Sequence, residues 1–136
     1  MSMSKLVHNE IITVRWGDMD ALNHVNNAVY FRYMEQARIS WFDRIGLAMI
    51  ENNEGPVVVS ARCDFLKPIV YPATIQVSVE LGRAGRSSFV IHHTLTGVDP
   101  SPVKFAQGET TIVWINHTRL KSIALPPTLR ARFNTE

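Results

Sequence analysis

The sequence predicts an α+β fold in which one long helix packs against an antiparallel sheet of five strands. Residues 74–81 alternate strictly between apolar and polar side chains, which is typical of a half-buried strand. Over residues 27–45 apolar side chains instead recur every three or four positions, which predicts an amphipathic helix. The order is one strand, then the helix, then four strands, and this order favours a helix segregated to one face of an antiparallel sheet.

Turn signals separate the predicted strands. Gly55-Pro56, GRAGRSS and VDPSP each interrupt an apolar pattern, and Pro68 and Pro72 bound a further turn. Pro126-Pro127 followed by LRARF predicts a short helical turn in the tail. We therefore predict five strands, at residues 7–16, 57–68, 74–81, 89–96 and 103–115.

The predicted helix has recognisable ends and two faces. Asn26 is a suitable N-cap, because its side-chain oxygen can accept a hydrogen bond from a first-turn amide, and Gly46 is a suitable stop. One face is expected to pack on the sheet: Tyr30, Tyr33, Met34, Ala37, Trp41, Phe42 and Ile45. The opposite face is expected to point away from it: Arg32, Glu35, Gln36, Arg38 and Asp43.

Length and composition narrow the class of protein. The chain has 136 residues, which predicts a single domain, 1–136, and its net charge is +2. No basic stripe with interleaved aromatic residues is present, so we expect no nucleic-acid partner. No apolar run reaches signal-peptide or membrane-spanning length, so we expect a cytoplasmic protein with no membrane contact. Cys63 is the only cysteine, which excludes an intrachain disulfide and a Cys-based zinc site.

The predicted sheet leaves edges that a single helix does not cover. Unpaired strand edges are usually protected, and two copies related by a two-fold axis would protect one edge of each sheet. We therefore expect a homodimer or a homotetramer.

One stretch concentrates polar residues at the start of the helix: GDMDALNHVNNAVYFRYMEQAR, residues 17–38. This pattern resembles the signature of the hotdog-fold acyl-CoA thioesterases, the 4-hydroxybenzoyl-CoA thioesterase-like family. PVVVSARCDFLKPIVYPATIQV and GRAGRSSFVIHHTL fit the same template more loosely. The resemblance implies a hydrolase that converts an acyl-CoA to a free carboxylic acid and coenzyme A without a metal or an organic cofactor. The HVNN sequence differs from the hydroxybenzoyl-specific enzymes and favours a fatty acyl chain.

The resemblance also implies the catalytic groups. Asp20 matches the catalytic carboxylate of the family, either as nucleophile or as general base for water. Asn27 matches the position whose backbone N–H binds the thioester carbonyl. The physics of helices agrees, because a helix N-terminus presents unpaired N–H groups to an oxyanion. We expect Asp18 to be structural, as a loop cap or an arginine partner, and the side chains of the neighbouring asparagines to be turn and cap groups.

Substrate-binding residues are expected on one strand and in one turn. Ser60 can hold the attacking water or the carboxylate, or it can be a buried serine bonded to backbone. Arg83 and Arg86 flank Gly85 in a turn where the family places basic residues against the phosphates of coenzyme A, although solvated surface arginines are the ordinary interpretation. His24 is either a general base or a group that satisfies hydrogen bonds within its loop.

Three alternatives remain at this point. A metal site is disfavoured, since Asp18, Asp20 and His24 have no partner cluster and the adjacent His92 and His93 point to opposite faces of a strand. A hotdog hydratase or dehydratase needs an acid–base pair, and no second group is clearly paired with Asp20. A non-catalytic acyl-CoA-binding module would share the fold but release no thiol.

Overall fold

The computed structural model describes residues 4–133, so the predicted domain extends three residues beyond it at each end. The order of elements is β1, α1, β2, β3, β4, β5, β6, α2, and a short 3-10 turn at Trp16–Asp18 follows β1. Their bounds are Lys5–Thr13 (β1), Asn27–Arg44 (α1), Glu54–Phe65 (β2), Thr74–Ala84 (β3), Ser88–Asp99 (β4), Lys104–Asn116 (β5), Lys121–Ser122 (β6) and Pro127–Phe133 (α2).

The strands form one antiparallel sheet. The spatial order is β1-β3-β4-β5-β2, and β6 pairs with the free part of β5. The α+β class and the antiparallel sheet are therefore confirmed. Within residues 4–133 the sheet has six strands rather than five, because β6 is a two-residue strand that is too short to show alternation in the sequence. The tail forms a second, seven-residue helix, where the sequence predicted a short helical turn.

The ends of α1 lie where the sequence predicted them. The Asn26 side chain accepts a hydrogen bond from the Ala28 N–H at 2.9 Å, and Gly46 follows the helix with a φ of +74°. A left-handed φ is easily adopted by glycine, which explains why the helix ends there. All the residues expected on the core face are buried except Ile45, which is half-buried.

The prediction that Arg38 points away from the sheet is wrong. Arg38 is only 9% exposed, and its guanidinium donates to the Thr110 hydroxyl of β5 at 3.2 Å. On the helical wheel Arg38 lies beside the core face, and the sheet extends far enough under α1 to cover it. A buried arginine is uncommon, since removing the guanidinium from water is costly.

The core lies between α1 and the sheet. The apolar face predicted for β3 is confirmed, since Ile75, Val77, Val79 and Leu81 are buried, but Ser78 on the opposite face is buried as well. At the β1 end of the sheet, Thr13 pairs with Thr74, and the next residue, Val14, is almost completely buried. The pairing of Thr13 and the burial of Val14 therefore fix the start of the loop that precedes α1.

The outer edge of β2 is apolar and exposed in the single chain. Val58 and Val59 are 47% and 58% exposed, and a bulge lies between Val58 and Ser60. The run of valines in β2 thus lies on an edge strand rather than in the centre of the sheet. In the described part of the chain, neither helix is long and apolar enough to cross a membrane.

Candidate active site

Asp18 anchors the loop between β1 and α1. Its carboxylate accepts hydrogen bonds from the Arg15 N–H at 3.0 Å and from the Tyr33 hydroxyl at 2.7 Å, and it lies 3.3 Å from the Arg15 guanidinium. Burial by itself would raise the pKa of Asp18, but these hydrogen bonds and the Arg15 charge outweigh it and lower the pKa below its ordinary value. The structural role predicted for Asp18 is confirmed.

Asp20 is the carboxylate that the loop presents beside the helix start. It is half-buried, and one of its oxygens accepts from the Leu22 N–H at 2.9 Å. The other oxygen accepts from the side-chain amide of Asn26 at 3.0 Å. The backbone around it is tied as well, because the Asp20 N–H donates to the His24 carbonyl and the Asn23 N–H donates to the Asp20 carbonyl.

Asn26 connects this carboxylate to α1. Its amide oxygen caps the Ala28 N–H, while its amide nitrogen donates to Asp20. Its own backbone N–H donates to the Asp18 carbonyl at 3.0 Å. The sequence indicated only the cap, because a contact between the two side chains depends on the path of the loop.

The first turn of α1 leaves one amide available. The Ala28 N–H is bonded to the Asn26 side chain, and the Val29 N–H to the Asn26 carbonyl. The Asn27 N–H has no acceptor among residues 4–133. An unpaired amide at the positive end of an 18-residue helix is a favourable donor to a developing oxyanion.

His24 lies in the same loop but has a different contact. Its ring Nδ1 is 3.3 Å from the Val25 carbonyl oxygen, and it makes no hydrogen bond to the Asp20 carboxylate. Between residues 4 and 133 no cluster of three or more histidine, cysteine or acidic side chains is arranged to hold a metal ion. The groups that converge here are a carboxylate and backbone amides.

The predicted substrate-binding residues lie elsewhere in the chain. The prediction that both arginines lie in a turn is wrong for Arg83, which lies at the far end of β3. Arg86 is in the turn that follows, and both side chains are exposed. The other end of β3 pairs with Thr13, beside the loop that carries Asp20. A strand of eleven residues spans about 35 Å, so both arginines lie far from Asp20 of the same chain. Ser60 is exposed on β2 and makes no hydrogen bond to Asp20.

The turn that carries Arg86 is held by the C-terminal helix. The Arg130 guanidinium donates to the carbonyls of Gly85 at 2.5 Å and of Arg86 at 3.0 Å. The Leu125 N–H also donates to the Arg86 carbonyl, at 2.9 Å. No sequence pattern indicated these contacts, because they join segments more than thirty residues apart.

The sequence profile of the thioesterase-like superfamily matches residues 14–133, which include β2 to β6, both helices and the Asp20 loop. The chain belongs to the thioesterase-like superfamily. This confirms the resemblance predicted from residues 17–38 and, with it, thioester hydrolase as the enzyme class.

Individual relatives agree with this assignment. The chain is 27% identical to the long-chain acyl-CoA thioesterase FadM of Escherichia coli over 89% of its length and 92% of that protein. It is 28% identical to YsmA of Bacillus subtilis over 67% of this chain, a match that spans only 62% of that relative. The PA2801 protein of Pseudomonas aeruginosa has the same fold, with a TM-score of 0.89 and 40% identity over 95% of this chain and 99% of that one.

A more distant structure shares the fold alone. The 1,4-dihydroxy-2-naphthoyl-CoA thioesterase of Synechocystis is 19% identical, with a TM-score of 0.84 over 91% of this chain and 93% of that one.

Proposed function

We propose that this protein hydrolyses a fatty acyl-CoA to the free carboxylic acid and coenzyme A. The observation that carries the proposal is the Asn26 side chain, which holds the Asp20 carboxylate against the first turn of α1, where the Asn27 N–H is unpaired within the described chain. A carboxylate beside an oxyanion donor is the minimum that thioester hydrolysis requires. A fatty acyl group is favoured by the HVNN sequence and by the similarity to FadM.

Two routes use the same geometry. In the first, Asp20 takes a proton from water, and the hydroxide oxygen attacks the thioester carbonyl carbon. The resulting oxyanion accepts a hydrogen bond from the Asn27 N–H, and collapse of the intermediate expels the coenzyme A thiolate, which takes the proton back from Asp20. In the second, Asp20 attacks the carbonyl carbon and expels the thiolate, and water then hydrolyses the mixed anhydride.

Coenzyme A would be bound across two subunits. Because Arg83 and Arg86 lie at the far end of β3 from Asp20, they can reach the same substrate only from a partner chain. The exposed apolar edge of β2 is suited to an interface between copies. We therefore propose a homodimer or homotetramer of hotdog domains in the cytoplasm, in which the sheet wraps around α1. Ser60, on that same edge strand, would contribute to the site from the interface.

The test is release of free thiol from acyl-CoA by the purified protein, followed colorimetrically. We expect turnover of aliphatic acyl-CoA and its loss in Asp20→Asn. A hydratase or a binding module would release no thiol, and the proposal would then be wrong.

A further inference from the structure

A groove runs along the β2 side of α1 and begins at the helix start. Its first part, about 380 Å³, is lined by residues that include Ala28, Phe31 and Val58. Its second part, about 270 Å³, is bordered mostly by apolar side chains, such as Phe42, Met49 and Pro56. Both parts share Glu35, Arg38 and Val58, so the groove is continuous.

The groove has the position and the length of an acyl-chain site. Ala28 is the neighbour of Asn27, whose N–H would hold the thioester carbonyl under the proposed function. From Ala28 to Phe42 the helix rises about 20 Å, which is the length of a long fatty acyl chain. An acyl group whose carbonyl lies at Asn27 would therefore extend along this apolar surface.

Four polar side chains interrupt the apolar lining: Arg32 and Glu35 are exposed, whereas Arg38 and His117 are buried or half-buried. Arg38 is nine-tenths buried, and among residues 4–133 no carboxylate lies within 4 Å of its guanidinium. Thr110 is the acceptor of its one described hydrogen bond, although a guanidinium has five N–H groups to donate. His117 also lines the second part, and its buried Nε2 has no hydrogen-bond partner in the described chain.

The charge of the neighbouring acid, Glu35, acts on Arg38, but the two side chains form no ion pair. Glu35 borders both parts of the groove, but its carboxylate is exposed and pairs with Arg32 at 2.8 Å. Arg38 thus presents a positive charge and unfilled N–H donors to the groove. Buried polar groups normally have partners, and the best partner for a guanidinium is a carboxylate, which can accept two parallel hydrogen bonds.

We propose that Arg38, assisted by His117, recognises a terminal carboxylate on the acyl chain, so that the preferred substrates are medium-chain ω-carboxyacyl-CoA thioesters. This rests on the proposed thioesterase function. Arg38 lies about 15 Å along the helix from Ala28, which matches the distance between the thioester carbonyl and the far carboxylate of a medium-chain diacid. An unsubstituted chain of the same length would leave the guanidinium without a carboxylate.

The experiment compares dodecanedioyl-CoA with dodecanoyl-CoA, which differ only in the terminal carboxylate. We expect the wild-type protein to show a kcat/KM at least about tenfold higher for dodecanedioyl-CoA, because a site with a buried polar group rejects an analogue that lacks its partner. Arg38→Met keeps an unbranched apolar stem and removes the charged guanidinium, and it should abolish or invert this ratio. Arg44→Met, an exposed arginine of the same helix outside the groove, is the matched control and should keep the wild-type ratio.

Further outcomes separate the explanations. His117→Leu should lower the ratio less than Arg38→Met does, and it replaces that variant if Arg38→Met cannot be purified. Equal kcat/KM values for both thioesters in the wild-type protein would overturn the proposal, and so would an Arg38→Met variant that loses both activities with an unchanged ratio. If no acyl-CoA is hydrolysed at all, the proposed function is wrong. Calorimetric binding of the same two thioesters to the wild-type protein would then decide whether the groove selects the carboxylate.

Discussion

Asn26 gives the sharpest test of the site, because its side chain makes two contacts that substitutions can separate. Its amide oxygen caps α1 through the Ala28 N–H, and its amide nitrogen donates to Asp20 at 3.0 Å. Asn26→Ala removes both contacts. Asn26→Asp keeps the capping oxygen but replaces the donor with a second negative oxygen about 3 Å from the Asp20 carboxylate.

The two variants should therefore rank differently in stability and in turnover. Loss of an N-cap costs about 1 kcal/mol, which lowers the Tm of a domain of this size by about 3–5 °C. Aspartate caps as well as asparagine does, so Asn26→Asp should remain within about 1 kcal/mol of the wild-type stability. In both variants Asp20 loses a positioning hydrogen bond, and in Asn26→Asp it is also repelled. We expect kcat to fall about 10- to 100-fold in both, with Asn26→Asp at least as slow as Asn26→Ala.

The measurements are Tm by circular dichroism and kcat by thiol release at saturating acyl-CoA. Asn26→Ser is the control for the cap, because serine caps a helix but its hydroxyl is too short to donate to Asp20 as well. A stable Asn26→Asp variant with wild-type turnover would refute the reasoning, since it would show that Asn26 acts only as a helix cap.

Three other substitutions test the rest of the site. Asp20→Asn should keep the fold and lower kcat about 10²-fold or more, measured by thiol release, whereas near-normal turnover would remove Asp20 from the chemistry. Arg86→Ala should raise the KM for acyl-CoA with little change in kcat, and the effect should shrink for pantetheine thioesters. Each proposed pocket combines Asp20 of one subunit with Arg86 of the other, so mixing Arg86→Ala with Asp20→Asn subunits should give dimers with one intact pocket. A fully active monomer in sedimentation would refute this shared site. Tyr33→Phe removes a hydrogen bond to the buried Asp18 carboxylate and should cost about 1–3 kcal/mol in denaturant titrations near neutral pH. Because the pKa of Asp18 is lowered in the folded state, its stabilisation is present above its ordinary pKa and is lost as the pH falls through the lowered value. The difference between the wild-type protein and Tyr33→Phe should therefore shrink below about pH 4, and a constant difference down to pH 2 would contradict the assignment.

The sequence alone determined the position of α1, the apolar face of β3, and the part of the site that is contiguous in the chain. Periodicity located α1 to within a residue and identified the apolar face of β3, since both signals arise from neighbouring residues on one side of an element. The cap at Asn26 and the stop at Gly46 are likewise local. The polar stretch at residues 17–38 indicated the family, because loop and helix start are contiguous in the chain.

The tertiary structure decided everything that depends on which distant segment lies opposite a side chain. The sequence predicted that Arg38 points away from the sheet, and only the position of Thr110, seventy-two residues later, determines that it is buried. The separation of Arg86 from Asp20 follows from the antiparallel register of β1 and β3, which composition does not encode. The second contact of Asn26 depends on a loop that folds back onto the helix it precedes. Such contacts are set by the packing of the whole sheet against α1, and a local pattern carries no information about them.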